Sequence, residues 1–190
     1  MKPYRNAERT KRWIRRAFTE LLAEKKDITK ISVTELAERA DISKTTFYYH
    51  YEDLYAVAEE FENELIETLS GELNEIARSA ASSAGPMDFE RYTRGIIDFL
   101  KVNERSYRMA MSASSPRLFM EKLKRILANK MEENAYALPF DRDVERRQVQ
   151  IRFLTGACVD VMAEYFRGGL TASLDTVTEV LLEAIRKLTA

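Results

Sequence analysis

Between Lys44 and His50 the chain places a cation, two threonine hydroxyls, two tyrosine hydroxyls and an imidazole around a single phenylalanine. Phe47 is the natural core anchor of this segment. Lys44, Thr45, Thr46, Tyr48, Tyr49 and His50 are too polar to be buried together. Their shared chemistry is recognition of a polyanion. Threonine hydroxyls bond phosphates or base edges, and the threonine methyl fits against a thymine methyl. Tyrosine hydroxyls and a lysine ammonium add phosphate donors. A polar surface helix with one buried aromatic has the same composition, so the segment needs its neighbours to decide the reading. Catalysis is a poor fit: the sole histidine, His50, lies inside this segment, and no nucleophile motif or glycine-rich phosphate loop accompanies it.

Two short helices joined by a tight turn would position these groups. Ser32 and Glu35 have the spacing of a capping box, which marks a helix start. Val33, Leu36, Ala37 and Ala40 then repeat at helical spacing. The pattern breaks at Asp41, where the turn requires a residue that tolerates a left-handed backbone; Gly is the default and Asp a workable second choice. Ile42 fills the space between the helices, and Ser43 is a good N-cap for the second. This is a helix-turn-helix whose second helix enters a DNA groove. The DNA-contact candidates are Thr34, Ser43, Lys44, Thr45, Thr46, Tyr48, Tyr49 and His50.

Residues 9–57 resemble the N-terminal DNA-binding domain of the TetR family of transcriptional regulators, of the AcrR-like kind. The matching parts are Ile14, Ala17, Phe18, Leu21 and Leu22 in a first helix, then ISVTELAERADIS, then TTFYYHY. The family's motif ends in an aromatic, a variable residue, His and an aromatic, matched by Tyr48, Tyr49, His50 and Tyr51. The resemblance implies an all-helical homodimer whose C-terminal domain holds the dimer interface and a ligand pocket. Two positions depart from it. Asp41 stands where Gly is preferred. Leu54, preceded by Glu52 and Asp53, stands where a phosphate-binding Lys is common at the start of the fourth helix, which puts that contact in doubt.

Charge distribution agrees. Through Tyr51 there are 12 Lys and Arg against 7 Asp and Glu, whereas the remainder has 18 against 24. Positive charge gathers where phosphates would lie. The first sixteen residues hold Lys2, Arg5, Arg9, Lys11, Arg12, Arg15 and Arg16 with Glu8 as the only acid. They read either as a solvated helix start or as an arm touching DNA backbone or minor groove, and the neighbouring motif favours the arm. No apolar run has the length of a membrane span and no signal-peptide core is evident, so a cytoplasmic protein is expected. One His and one Cys make no usual transition-metal site, and neither metal nor cofactor is expected. Cys158 reads as a buried structural thiol rather than a redox sensor.

The fold class expected is all-α with about nine helices: a head over residues 1–52 and a helical ligand-binding and dimerisation domain over residues 53–190. Trp13 is placed beside the apolar face of the first helix, sealing the head. A long fourth helix turns Val57, Phe61, Leu65, Ile66, Leu69, Leu73 and Ile76 inward and links the two parts. Ser79–Met87, with its Gly-Pro break, is the clearest loop. Pocket candidates are Phe99, Tyr107, Met111, Phe119, Met120 and Phe153, since aromatics and Met make adaptable walls, though such stripes are also ordinary core. Arg94, Asp98, Arg105 or Arg108 would fix a polar ligand group. The last two helices are apolar around more than half their circumference, which suggests burial on both sides in a dimer. The interface candidates are Leu154, Cys158, Val161, Tyr165, Val177, Leu181, Ala184 and Ile185. The resulting expectation is a regulator binding double-stranded palindromic DNA and released by a small-molecule effector. A helical protein-interaction module that has lost DNA affinity is the alternative.

Overall fold

The computed structural model describes residues 3–81, 88–111, 116–135 and 138–189. All regular structure among them is helical: α1 (Pro3–Lys25), α2 (Val33–Arg39), α3 (Lys44–His50), α4 (Leu54–Ala80), α5 (Phe89–Val102), α6 (Glu104–Met111), α7 (Pro116–Glu133), α8 (Val144–Arg167) and α9 (Leu174–Thr189), with a 3-10 turn at Ile28–Lys30. The fold class is as the sequence predicts. The expected loop after α4 falls mostly outside the described residues, although Ser79 still belongs to the helix.

Caps fix most helix starts. The side chains of Ser32, Ser43, Asp53, Asp88 and Asp143 accept backbone N–H bonds at the starts of α2, α3, α4, α5 and α8. Each satisfies an orphan donor and is worth about 1 kcal/mol. The end of α8 is closed by Gly168, whose φ of 81° is the left-handed conformation that favours glycine.

A small head forms first. Ile14, Phe18, Leu21 and Leu22 of α1 meet Leu36 of α2 and Phe47 of α3 in a dry core. Ion pairs lock its rim: Arg39 donates to both carboxylate oxygens of Glu24 at 2.8 and 3.1 Å, and Lys25 to Glu35. That last pair modifies the expected capping box. Ser32 Oγ does accept from the Glu35 N–H, at 3.2 Å, but the Glu35 carboxylate turns to Lys25. Trp13 corrects another expectation. It is 45% exposed and lies under the Arg9 guanidinium at 5.0 Å, so Ile14 and Phe18 seal the head without it.

α4, about 40 Å long at 1.5 Å per residue, packs on α1 near its start and on α5, α6 and α7 further along. α7 and α8 pair extensively, with α9 against α5 and α8. One continuous hydrophobic cluster runs from the head into the larger helical part, because Val57, Ala58 and Phe61 of α4 continue the head core and Leu69, Leu73 and Ile76 begin the next.

Candidate DNA interface and the cavity behind it

The turn between α2 and α3 has the geometry that the interface requires. Asp41 has φ 54°, and its N–H donates to Glu38 O while the Ile42 N–H donates to Ala37 O at 3.0 Å. These bonds close the end of α2 and swing the chain directly into α3. Phe47 is fully buried and fixes the rotation of α3 about its axis. The opposite side then faces solvent: Lys44, Thr45 and Tyr48 are exposed, and Tyr49 is 83% exposed. Thr34 and Ser43 are exposed too, whereas Thr46 and His50 are half-buried. Ser43 and Thr46 have local work as well, their hydroxyls bonding each other at 2.8 Å as part of the cap. Tyr49 and His50 stack edge to face with centroids 5.1 Å apart.

The basic N-terminal run does not behave as one free arm. From Pro3 it is already helical, and Lys11 and Arg15 point inward. Lys11 binds Glu60 at 2.9 Å, and Arg15 binds Glu60 at 2.5 Å and Glu64 at 2.8 Å. The Lys11 ammonium also lies 5.2 Å from the centre of the Tyr51 ring. Burial disfavours the charge on Glu60, but the hydrogen bond from Lys11 and the nearby charges of Lys11 and Arg15 outweigh it and hold the carboxyl below its ordinary range. These cations therefore clasp α4 to the head. Arg9, Arg12 and Arg16 remain on the surface, and Lys2 lies outside the described residues.

At the start of α4, Asp53 Oδ1 accepts the Ala56 N–H at 2.8 Å. The carboxylate thus serves the helix dipole, and the neighbouring Leu54 packs against the core. Tyr55, not singled out from sequence, stands half exposed in the same first turn. A solvent-facing hydroxyl next to the motif is the only sequence signal that would have found it.

Behind the head lies a cavity of about 80 Å³ walled by residues from α4 through α9, among them Leu69, Ile97, Tyr107, Leu127, Leu154 and Ile185. Of the expected pocket residues, Tyr107 and Met111 reach it. The others do not. Phe119 is fully buried against Tyr107, one layer behind the wall, with ring centroids 6.1 Å apart. Phe99 packs edge-on against the same tyrosine. Met120 turns outward, its sulfur accepting from Arg167 at 2.7 Å. Phe153 points to solvent, 61% exposed. None of Arg94, Asp98, Arg105 and Arg108 lines the cavity; Arg108 instead donates to the carbonyls of Tyr165 and Phe166 at the end of α8.

Most of the residues expected at the dimer interface turn inward. Leu154, Val177, Leu181 and Ile185 are buried within their own chain, and Leu154, Cys158, Leu181 and Ile185 line the cavity. Burial pushes the Cys158 thiol up to about 11, which keeps it protonated. Tyr165 is half-buried, its hydroxyl donating to Glu104 at 3.0 Å. Val161 is half-buried, and Ala184 is the one candidate fully on the surface. The exposed apolar side chains include Val149, Phe153 and Ala157 on α8 and Val180, Ala184 and Leu188 on α9. Gly156 precedes Ala157, with nothing within 4 Å of where a Cβ would sit.

Among the described residues, no helix is long and apolar enough to cross a membrane. No protein-family model and no curated protein matches the sequence. Solved structures do match its shape. A TetR transcriptional regulator from Streptococcus agalactiae superposes with a TM-score of 0.67 at 20% identity, covering 95% of this chain and 96% of that one. NalD of Pseudomonas aeruginosa, the secondary repressor of the MexAB-OprM multidrug efflux pump, gives 0.62 at 17% identity over 96% of both chains. The TetR family repressor AlkX from a Dietzia strain, implicated in biodegradation of n-alkanes, gives 0.58 at 17% identity over 93% of this chain and 96% of that one. From the head to the last helix, this chain has the fold of the TetR-type transcriptional regulators.

Proposed function

We propose that the protein is a sequence-specific DNA-binding transcriptional regulator, acting as a repressor that a small molecule releases from its operator. The observation that carries this reading is α3. Its buried Phe47 sets the rotation and its capped turn sets the angle, so Lys44, Thr45, Tyr48 and Tyr49 stand together on the open face. Base edges are read by that face, with Thr34, Ser43 and Tyr55 placed for phosphates. Residues 1–52 act as the reading head, and the remainder senses the effector and dimerises. The repressing sense agrees with NalD and AlkX, both named as repressors.

Two copies join through the outward face of α8 and α9. Phe153, Val149, Val180 and Leu188 are large apolar side chains exposed on adjacent helices, a pattern that a twofold partner covers. Gly156 lets the facing backbones approach. A twofold dimer sets two α3 helices about 34–36 Å apart and so reads a palindrome.

α4 transmits the effector signal. Leu69 is in the cavity wall, and Glu60 and Glu64, which hold α1, lie about 8–14 Å away on the same helix. A ligand that displaces Leu69 therefore tilts the head it is tied to. A difference in affinity of about 1–3 kcal/mol between the two arrangements lowers DNA binding about 5- to 150-fold.

Selection from a randomised DNA pool with salt varied tests the reading. The expected result is an enriched palindrome and an affinity falling with salt at about −0.9 in log–log slope per phosphate neutralised. Salt-sensitive binding without an enriched sequence, or no binding at any salt, overturns it; the latter moves the weight to a protein-interaction module.

A further inference from the structure

The composition of the cavity wall says what kind of molecule it admits. Among the described residues, the wall contains no charged side chain. Its two threonines have already spent their donors: Thr93 Oγ1 donates to Phe89 O at 2.9 Å and Thr155 Oγ1 to Ile151 O at 2.8 Å. Cys158 offers only a weakly polar thiol, which burial keeps neutral. Tyr107 differs from all of these. It is 1% exposed, it belongs to the wall, and its hydroxyl has no hydrogen-bond partner. A buried hydroxyl left unpaired is costly, and a ligand oxygen is one way to satisfy it.

The wall also sets a shape. It follows α7 from Leu123 to Met131, about 12 Å, and α8 from Leu154 to Phe166, about 18 Å. A volume of about 80 Å³ spread along such a length is narrow. Met111, Met131 and Met162 line it and let it widen as a chain enters.

Resting on the effector reading above, we infer that the cavity takes an uncharged, slender alkyl-chain molecule with a single oxygen function, which hydrogen-bonds the Tyr107 hydroxyl. Carboxylates and quaternary ammonium compounds are rejected, because a buried charge finds no partner in this wall.

Calorimetric titration of the full-length, DNA-free protein tests this with 1-octanol, octanoate and octyltrimethylammonium. Octanol binds, and both ions bind at least about a hundredfold more weakly. Along a series from 1-pentanol to 1-octanol the affinity rises about fourfold per methylene. Tyr107→Phe lowers octanol affinity about fivefold, one hydrogen bond's worth, while Tyr92→Phe, which removes another buried and unpartnered hydroxyl from outside the wall, changes it little. Ala163→Leu, which fills the cavity, abolishes binding. Equal binding of octanoate, unchanged octanol affinity in a folded Tyr107→Phe, undiminished binding in Ala163→Leu, or no binding of any of the three probes overturns the inference. Because DNA is absent, octanol binding that leaves operator affinity untouched refutes the release mechanism and not the ligand class.

Discussion

Arg15 on the first helix and Glu64 on the fourth are joined by an ion pair of 2.8 Å, although 49 positions separate them in the chain. The arginine side chain is only 14% exposed. Together with Glu60 it ties the head to α4. Arg15→Ala leaves two carboxylates crowded without their main counter-charge and lowers stability by about 1–2 kcal/mol. It also weakens the coupling between ligand and DNA: operator affinity changes less on ligand addition than in the parent. Thermal melting and DNA titrations with and without ligand measure both; unchanged coupling in a folded variant removes the clasp from the mechanism.

Tyr49 and Phe47 are two residues apart and face opposite ways. Tyr49→Ala leaves stability within about 0.5 kcal/mol, as is usual for exposed positions, while DNA affinity drops. Phe47→Ala costs about 3–5 kcal/mol by opening the head core. Denaturant melts and a DNA-binding titration separate the two effects. A Tyr49→Ala protein that binds the operator as tightly as the parent takes Tyr49 off the interface.

Glu62 is 3% exposed on α4, and its Oε1 has no hydrogen-bond partner. Burial raises its pKa to about 7, against an opposing attraction to Lys122. The folded state thus holds a proton that the unfolded chain, with an ordinary glutamate near 4.5, releases. Stability from this group is greatest below pH 4.5, falls as pH rises to about 7 and then levels off. Glu62→Gln removes that slope and raises stability at pH 8 by about 2–3 kcal/mol. Melting curves between pH 5 and 8 in which Glu62→Gln keeps the parent's slope assign the pH dependence to other groups.

Phe153→Glu places a charge in the outward face of α8 without touching the core. Sedimentation of the parent gives a dimer, and the variant a folded monomer with an unchanged helical signal. A variant that stays dimeric moves the interface elsewhere. Monomers lose operator binding steeply, since each then holds one half-site.

Much of the head was legible. Ser32, Asp41 and Ser43 are local signals, each determined by a few neighbouring residues, and each acts in the structure where the sequence placed it. Asp41 adopts the left-handed backbone that the turn demanded. The larger domain was legible in its helices but not in their rotation. Phe153 was assigned to the pocket and Leu154 to the dimer face, but Phe153 is exposed and Leu154 is buried in the cavity wall. Adjacent residues on a helix differ by about 100° in direction, and α8 is apolar on two sides, so periodicity finds both faces without saying which one is inside. Glu62 escaped notice for a related reason: an acid in a helix rich in acids reads as solvated surface, and only packing against neighbouring helices reveals it as buried. Lys11 and Arg15 look like the rest of the basic run until α4 brings Glu60 and Glu64 beside them.

The span of α4 has a consequence for how such a protein diversifies. Its first turns complete the head and its later turns build the larger helical part, within one unbroken helix. A chimera joined at residues 52 and 53 severs Arg15 from the carboxylates that hold it. A new head grafted onto this larger part must bring its own α4 through at least Glu64, or carry an α1 whose cations match the resident acids. In this chain the first and fourth helices therefore act as one inherited unit, and a swap is expected to keep its stability only when both move together.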